Sequence, residues 1–247
     1  MRKKISVITV VYNDSNGLEY TIQSVLSQTY NSIEYIVIDG GSNDGTIDII
    51  KKYESQIDIW KSEPDEGIFD AMNKGVRLAS GEWLNFMNAG DRFADNKVLE
   101  HIFSGQIQEN ISFIYSDCNL YLNNKKLYTL ECSVDKGMIQ HQSSIYRRCL
   151  HQEYGYYISY RKNIVSDYLF FNQIPTKQYY KTDVVISDYD FGGFSQANWC
   201  YLQKICCDYV FGRISINRLI GLIFKFKIKR SVPQSIRKGI KQIFHIK

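Results

Sequence analysis

Hydrophobic and polar positions alternate between two rhythms along the first ninety residues. Ile5 to Val11 is an apolar, β-branched run, the pattern of a buried parallel strand. After the polar turn Tyr12-Asn13-Asp14, Leu18, Ile22, Val25 and Leu26 recur at helical spacing and predict one buried helix face. Ile33 to Ile38 predicts a second strand. It ends in the flexible stretch Asp39-Gly40-Gly41-Ser42-Asn43-Asp44-Gly45, whose Asp44 is placed to cap a helix carrying Ile47, Ile50 and Tyr53. A third strand is expected over Ile57 to Trp60. A helix over Ile68 to Ala79 follows, with Ile68, Ala71, Met72, Val76 and Ala79 on one face. Trp83 to Met87 then reads as a short buried strand running into a polar turn that ends at Asp91. Strand and helix alternating with short connections imply a mostly parallel sheet flanked by helices, with right-handed crossovers. In such a sheet, ligands bind beyond the carboxyl ends of the strands, where Asp39 and Asp91 fall.

Beyond residue 93 the rhythm weakens. Val98 to Phe103 reads as helix, and Ile111 to Tyr115 and Leu120 to Leu130 as strands, with Asn123-Asn124 as a hairpin turn. Gln140-His141-Gln142-Ser143 precedes a helix-like Ser144 to Leu150. Ser166-Asp167 starts a short helix over Tyr168 to Asn172, and Val184 to Ile186 is strand-like. Phe191 to Ser195 reads as a loop, and residues 196–229 as helical. No linker composition intervenes. The expected organisation is therefore one domain over 1–210, with halves 1–93 and 94–210, and a helical tail over 211–247.

Charge changes the picture at one end only. The net charge of +4 combines ten Lys or Arg and no acid after Asp208 with an acidic remainder at −6. The tail pairs Ile214, Leu219, Ile220, Leu222, Ile223 and Phe224 with Arg213, Arg218, Lys225, Lys227, Lys229 and Arg230. A second basic piece after Pro233 carries Ile236, Ile240 and Ile243. That pattern suits a helix lying on an anionic inner leaflet rather than a nucleic-acid partner. A docked terminal helix with a solvated basic face is the alternative. The apolar runs are too short to span a bilayer, and no secretory signal is legible, so the expected location is cytoplasmic, peripheral on the inner face of a bacterial plasma membrane. Six cysteines without Cys-x-x-Cys spacing read as reduced, small core residues.

Four stretches then matter together: Ile5-Ser-Val-Ile-Thr-Val-Val-Tyr-Asn13; Val37-Ile-Asp-Gly-Gly-Ser-Asn-Asp-Gly-Thr46; Ser62-Glu-Pro-Asp-Glu-Gly-Ile-Phe-Asp-Ala-Met-Asn-Lys-Gly75; and Ala79-Ser-Gly-Glu82 running into the strand. In this order and spacing they resemble the family 2 glycosyltransferases, especially bacterial O-antigen and exopolysaccharide enzymes. The resemblance implies a GT-A fold, a nucleotide-sugar donor (UDP by family habit), Mg²⁺ or Mn²⁺, and inversion at the anomeric carbon. It assigns Tyr12 and Asn13 to flank the base and Asp39 to accept from a uracil N–H or a ribose hydroxyl. Asp70, Asn73 and Lys74, which share one side of a helix, would face the nucleotide with Asn88, and Asp91 would hold the metal. This chain has Asn88-Ala89-Gly90-Asp91 where the family commonly has several carboxylates; a magnesium-type ion tolerates one.

Looser matches, His141-Gln142 and Ser166-Asp167-Tyr168, imply acceptor or diphosphate contacts for the first pair and a general base in Asp167. Asp39 as a turn carboxylate, Asp167 as a helix cap and His141 as a structural hydrogen bonder remain open beside these roles. The implied function is metal-assisted sugar transfer to a lipid-linked saccharide in surface polysaccharide or O-antigen (lipopolysaccharide) biosynthesis. The rival is a non-catalytic sugar-nucleotide-binding or scaffold subunit with a degenerate metal motif. A dehydrogenase is disfavoured because no Gly-x-Gly-x-x-Gly follows a strand.

Overall fold

The computed structural model describes residues 3–122, 125–160, 163, 165–190 and 198–231. They divide into two compact units, 1–196 and 197–247.

The first unit opens with β1 (Ile5–Val11), α1 (Ser15–Leu26), β2 (Ile33–Asp39) and α2 (Thr46–Lys52), then a 3-10 turn at Glu54–Gln56 and β3 (Ile59–Ser62). It continues with α3 (Ile68–Leu78), β4 (Trp83–Phe86), β5 (Arg92–Phe93) and α4 (Val98–Ser104). The later elements are β6 (Phe113–Tyr115), β7 (Cys118–Leu122), β8 (Lys125–Leu130) and β9 (Ser144–Arg147), α5 (Leu150–Tyr154), α6 (Ser166–Phe171), β10 (Tyr179–Lys181) and β11 (Ser187–Asp190). A seven-stranded sheet runs in the order β10-β6-β9-β4-β1-β2-β3, and β5-β11-β7-β8 form a second, four-stranded sheet. In the large sheet, β1 pairs in parallel with β2 and β4, and β2 with β3, while β9 lies antiparallel between β4 and β6.

Alternation along the buried strands feeds two cores. Ile8 and Val10 of β1 and Ile36 and Ile38 of β2 face the layer holding Met72 and Val76 of α3. Val7, Val11, Tyr35 and Val37 face the opposite layer, with Leu18, Ile22 and Val25 of α1. Gly75 lets α3 sit close, because a methyl there would meet Ile8 Cγ2 at 2.5 Å. The sheet grows outward from β1 in both directions, to β2 and β3 on one side and to β4 on the other. The crevice where that order reverses opens at the carboxyl ends of β1 and β4.

The mixed α/β class and the elements β1, α1, β2, α2, α3 and β4 stand close to where the sequence pattern puts them. The differences lie further on. Ser144–Arg147 is a strand, not the start of a helix; it lies between two neighbours, and its four residues, Ser-Ile-Tyr-Arg, are too few to carry a period-two signature. Val184 to Ile186 is not a strand, and extended pairing falls at Tyr179–Lys181 and Ser187–Asp190. The third strand begins at Ile59, after the 3-10 turn.

In the second unit, the helical stretch is broken into α7 (Asn198–Val210) and α8 (Ile216–Ser231), around Gly212 at φ 69°. Tyr201 and Phe226 stack across the pair, with centroids 5.6 Å apart. Asn123-Asn124, the Phe191 to Ser195 loop and the basic piece after Pro233 lie outside the described residues. All six cysteines are free; Cys118, Cys132, Cys200 and Cys207 are buried, whereas Cys149 and Cys206 are exposed.

Candidate active site

Three loops gather at the carboxyl ends of β1, β2 and β3. Tyr12, the first residue beyond β1, stands 65% exposed. Asn13 takes a left-handed conformation (φ 50°), and its loop is laced to the next: Asn13 N donates to Ser42 Oγ at 2.7 Å, and Asn43 N donates to Asn13 Oδ1 at 2.8 Å. Asp39 is turned into this loop. Its carboxylate is fully buried and accepts from Gly41 N, Ser42 N, Ser42 Oγ and Ser62 Oγ. Four donors fill the acceptor sites of a carboxylate. In this geometry Asp39 holds the β2 and β3 loops together, and a uracil or ribose donor would have to displace one of them. Asp44 serves the start of α2, accepting from Thr46 N at 3.1 Å and Thr46 Oγ1 at 2.6 Å.

Asp65 is the residue the motif contained and residue-by-residue reading passed over. A methyl at Gly40 would meet Asp65 Oδ2 at 2.4 Å and Tyr12 Cδ2 at 3.3 Å, so the glycine leaves room for the carboxylate beside the exposed ring. Its other oxygen accepts from Gly67 N at 2.8 Å.

On α3 the three residues assigned to the nucleotide separate. Asn73 is buried and trades both amide groups with the backbone of Tyr157, donating to its carbonyl at 2.8 Å and accepting from its N–H at 3.0 Å. It pins the Tyr157 segment to α3. Lys74 donates to Pro64 O at 2.9 Å and pairs with Glu63 and Asp70, and these carboxylates raise the pKa of its ammonium against the opposing effect of burial, the largest single influence. Asp70 also accepts from Glu66 N at 3.2 Å, so the pair braces the loop before α3.

The turn after β4 is built on Thr21. Its hydroxyl lies 2.6 Å from Asp91 O and 3.1 Å from Asn88 O, and accepts from Gly90 N at 3.0 Å. Gly90 sits at φ 91°, a conformation that suits glycine. Asp91 is nearly buried. Asn88 is more informative. Its Nδ2 lies 2.9 Å from His141 Nε2, and His141 Nδ1 lies 3.2 Å from Asp167 Oδ2. An amide nitrogen only donates, so Nε2 accepts and the ring proton sits on Nδ1, pointing to the carboxylate. Asn88, His141 and Asp167 thus form one line across three segments of the chain. Asp167 also accepts from Tyr168 N at 2.8 Å, and α6 has no side-chain cap. Gln142 is buried beside this line, with its backbone carbonyl taking Asn85 Nδ2 at 3.2 Å.

Among the described residues, no group of three or more His, Cys, Asp or Glu is arranged to hold a metal. One feature of the donor set does fit a hard cation. Asn88 Oδ1 is a buried acceptor without a partner among the described residues, three residues from Asp91. Two protein oxygens, with substrate phosphates and water completing the shell, suffice for Mg²⁺.

An open, mostly parallel sheet with its polar groups gathered at the switch point defines a nucleotide-site α/β protein, and here the GT-A type of glycosyltransferase fold. Residues 6–169 match the family described as glycosyl transferase family 2, and the chain belongs to that family. It is similar to the PGL/p-HBAD biosynthesis glycosyltransferase of Mycobacterium bovis (strain BCG / Pasteur 1173P2), 31% identical over 202 residues, 77% of this chain and 78% of that protein. It is also similar to the Escherichia coli UDP-Glc:alpha-D-GlcNAc-diphosphoundecaprenol beta-1,3-glucosyltransferase WfgD, 33% identical over 121 residues, 49% of this chain and 47% of that one. A match at 46% identity to an uncharacterized glycosyltransferase of Mycobacterium tuberculosis spans 37% of that relative's length. Among solved structures, S. aureus TarS 1-349 in complex with UDP-GlcNAc has a TM-score of 0.70 at 18% identity, covering 84% of this chain and 66% of that one. Mannosyltransferase PcManGT from Pyrobaculum calidifontis, solved with GDP-Man and Mn²⁺, has a TM-score of 0.63 at 16% identity, covering 83% and 61%.

Proposed function

We propose that the chain transfers one sugar, with inversion, from a UDP-sugar to a saccharide carried on a polyprenyl diphosphate, in the assembly of a bacterial surface polysaccharide. The observation that carries this reading is the Asn88–His141–Asp167 line, which joins the turn after β4 to the segment expected to meet the acceptor.

In this reading, the exposed Tyr12 ring stacks on the base and Asp65 accepts from it, while Asn13 and Asp39 shape the two loops beneath. Asp91 and Asn88 Oδ1 would hold a Mg²⁺ or Mn²⁺ ion, whose charge offsets that building on the leaving diphosphate. The acceptor hydroxyl attacks C1 from the face opposite the diphosphate, and Asp167 takes its proton. His141 is not the base, because Asn88 occupies its one free lone pair; it orients the carboxylate. Asp167 has spent two acceptor positions, on His141 and Tyr168 N, and keeps others for the hydroxyl. His141 and Gln142 stand at the acceptor side of this arrangement.

The lipid-linked acceptor is supported by the name of the WfgD relative and by the tail. Among the described residues, no helix is long and apolar enough to cross a membrane. Ile216, Ile220 and Phe224 of α8, four residues apart, are 47%, 58% and 65% exposed, an apolar stripe beside Arg218, Lys225 and Lys227. That stripe suits a helix lying at the inner membrane surface.

A non-catalytic subunit is the second reading, favoured by the single acidic ligand of the metal motif. Purified full-length chain incubated with a panel of UDP-sugars separates the two. The enzyme should release UDP slowly with Mg²⁺ or Mn²⁺ and stop when the metal is chelated. Binding of a UDP-sugar without any release, with or without metal, would leave only the scaffold.

A further inference from the structure

A cavity of about 340 Å³ opens beside the turn that carries Asp91. Gly90 lines it from that turn, with Tyr20 from α1, Arg92 from β5, Tyr121 from β7, and Asp188 and Tyr189 from β11. None of these five side chains belongs to the donor motifs. We propose that this cavity seats a neutral sugar ring of the acceptor, with Arg92 as its specificity-determining donor. The inference rests on the reading of the chain as a sugar transferase and adds the place and the chemistry of acceptor recognition.

The argument starts at Arg92. Its guanidinium lies 5.0 Å from the Tyr20 ring centroid and 4.6 Å from that of Tyr121, and its Nε donates to Asp188 Oδ2 at 2.8 Å. Asp188 is buried and held from its other oxygen by Asn119 Nδ2 at 2.8 Å. The guanidinium is therefore fixed in direction by two rings and a braced carboxylate. Among the described residues, its two terminal nitrogens have no protein partner. Those N–H groups form a planar fork that bonds two oxygens at once, as the neighbouring hydroxyls of a pyranose present them.

Charge and size then select the ligand class. Asp188 compensates Arg92, and Asp14 stands at the rim, its carboxylate oxygen 3.9 Å from where a Gly90 Cβ would be. A phosphate would find no net positive charge here, whereas hydroxyl groups need none. The Tyr20, Tyr121 and Tyr189 rings offer apolar surface to the C–H faces of a sugar and hydroxyls to its edges. The volume is at the small end of ligand sites, roughly 300–1,000 Å³, and fits one or two rings rather than a whole nucleotide sugar. Position agrees with the role. Gly90 lies between Asn88 and Asp91 in sequence, so a ring seated here lies next to the turn that handles the leaving diphosphate.

The test uses full-length protein and the methyl glycosides of glucose, N-acetylglucosamine, galactose and mannose as probes, with pyrophosphate as the anionic arm and UDP as the donor-site control. Binding is followed by ligand-observed NMR titration. At least one glycoside should bind, and its Kd should weaken tenfold or more in Tyr20→Ala and in Arg92→Lys. Arg92→Lys keeps the charge opposite Asp188 but loses the fork; Tyr20 is half-exposed, so its loss spares the buried pair. UDP affinity should stay within twofold in both variants. No glycoside binding to the wild type, equal binding to both variants, or pyrophosphate binding that falls tenfold in Arg92→Lys would each overturn the proposal. UDP binding without glycoside binding defeats the acceptor cavity and leaves the transferase reading intact. Glycoside binding sensitive to both variants without UDP binding does the reverse.

Discussion

Asp167 offers the sharpest distinction between chemistry and architecture. An amide of the same shape has one accepting oxygen, so Asp167→Asn keeps the bond from His141 Nδ1 or the one from Tyr168 N but not both, a local change of one hydrogen bond. It cannot take the acceptor proton. Transfer should fall on the order of 10²–10⁴-fold, with UDP affinity unchanged, because a base acts in the transition state rather than in donor binding. Single-turnover transfer and calorimetry on one preparation check this; near-normal transfer would send the search for the base elsewhere. Asp91→Asn should instead remove the response of UDP release to added Mg²⁺ or Mn²⁺ while leaving the melting temperature near that of wild type. Activity that still rises with metal in this variant would take Asp91 out of the metal site. At this scale, sequence order marked the residues but not their partners. Asp39, placed in the motif at a strand end, has its acceptor sites filled by its own loop and by Ser62 at the end of β3, and Asn73 bonds a backbone 84 residues away. Neither saturation nor so distant a partner leaves a trace in local spacing.

Among elements, the parallel half was legible because its central strands are rich in apolar and β-branched residues and its helices carry 3.6-residue stripes. Ser144–Arg147 was not, since four residues, Ser-Ile-Tyr-Arg, are too few to set a period of two apart from a helical turn. The end of the sheet opposite the site gives a test that leaves the chemistry alone. Glu34 at the start of β2 accepts from Lys4 Nζ, Ser6 Oγ, Ser80 Oγ and Ser80 N, tying β1 and β2 to the turn before β4. Burial pushes its carboxyl up, but donation from Lys4, Ser6 and Ser80 together outweighs it and holds the pKa at about 2. A depressed carboxylate stabilises the fold above its unfolded pKa, near 4.5, and that stability is lost as pH falls from there through about 2. The loss should amount to roughly 3 kcal/mol. Urea unfolding between pH 6 and 2 should show this slope in the wild type, and Glu34→Gln should flatten it. An equal slope in both proteins would assign the acid sensitivity to other groups. On the same sheet face, nearer the site, Gly75→Ala forces a methyl against Ile8 and should cost about 1–3 kcal/mol by the same measurement.

For the whole molecule, a mixed α/β fold was readable from the first ninety residues, whereas of the second sheet only the β7 and β8 strands were. Its other strands, from residues 92 and 187 onward, are short pieces that pair only once the chain has returned on itself. The cavity between α1 and that sheet was invisible for the same reason. The basic tail was legible as composition, and its described part supplies the variable that composition lacks, the direction of its apolar residues. Two forces would hold α8 at an anionic surface. Each Lys or Arg near such a surface contributes roughly 1 kcal/mol, and that term is screened beyond about 10 Å at 0.1 M salt. The exposed stripe of Ile216, Ile220 and Phe224 contributes by burial of apolar area, which salt does not weaken. Deleting the tail would also remove the Tyr201–Phe226 stack, so point changes on exposed positions test the two forces better. Sedimentation with phosphatidylglycerol-containing vesicles should show strong binding of the wild type at 50 mM salt and reduced but measurable binding at 500 mM. Lys225→Glu with Lys227→Glu should bring low-salt binding down to the high-salt level. Ile220→Ser with Phe224→Ser should leave low-salt binding partly intact and abolish what remains at high salt. If all three proteins stay in the supernatant at both salt concentrations, α8 is a solvated helix and the acceptor must reach the site without its help.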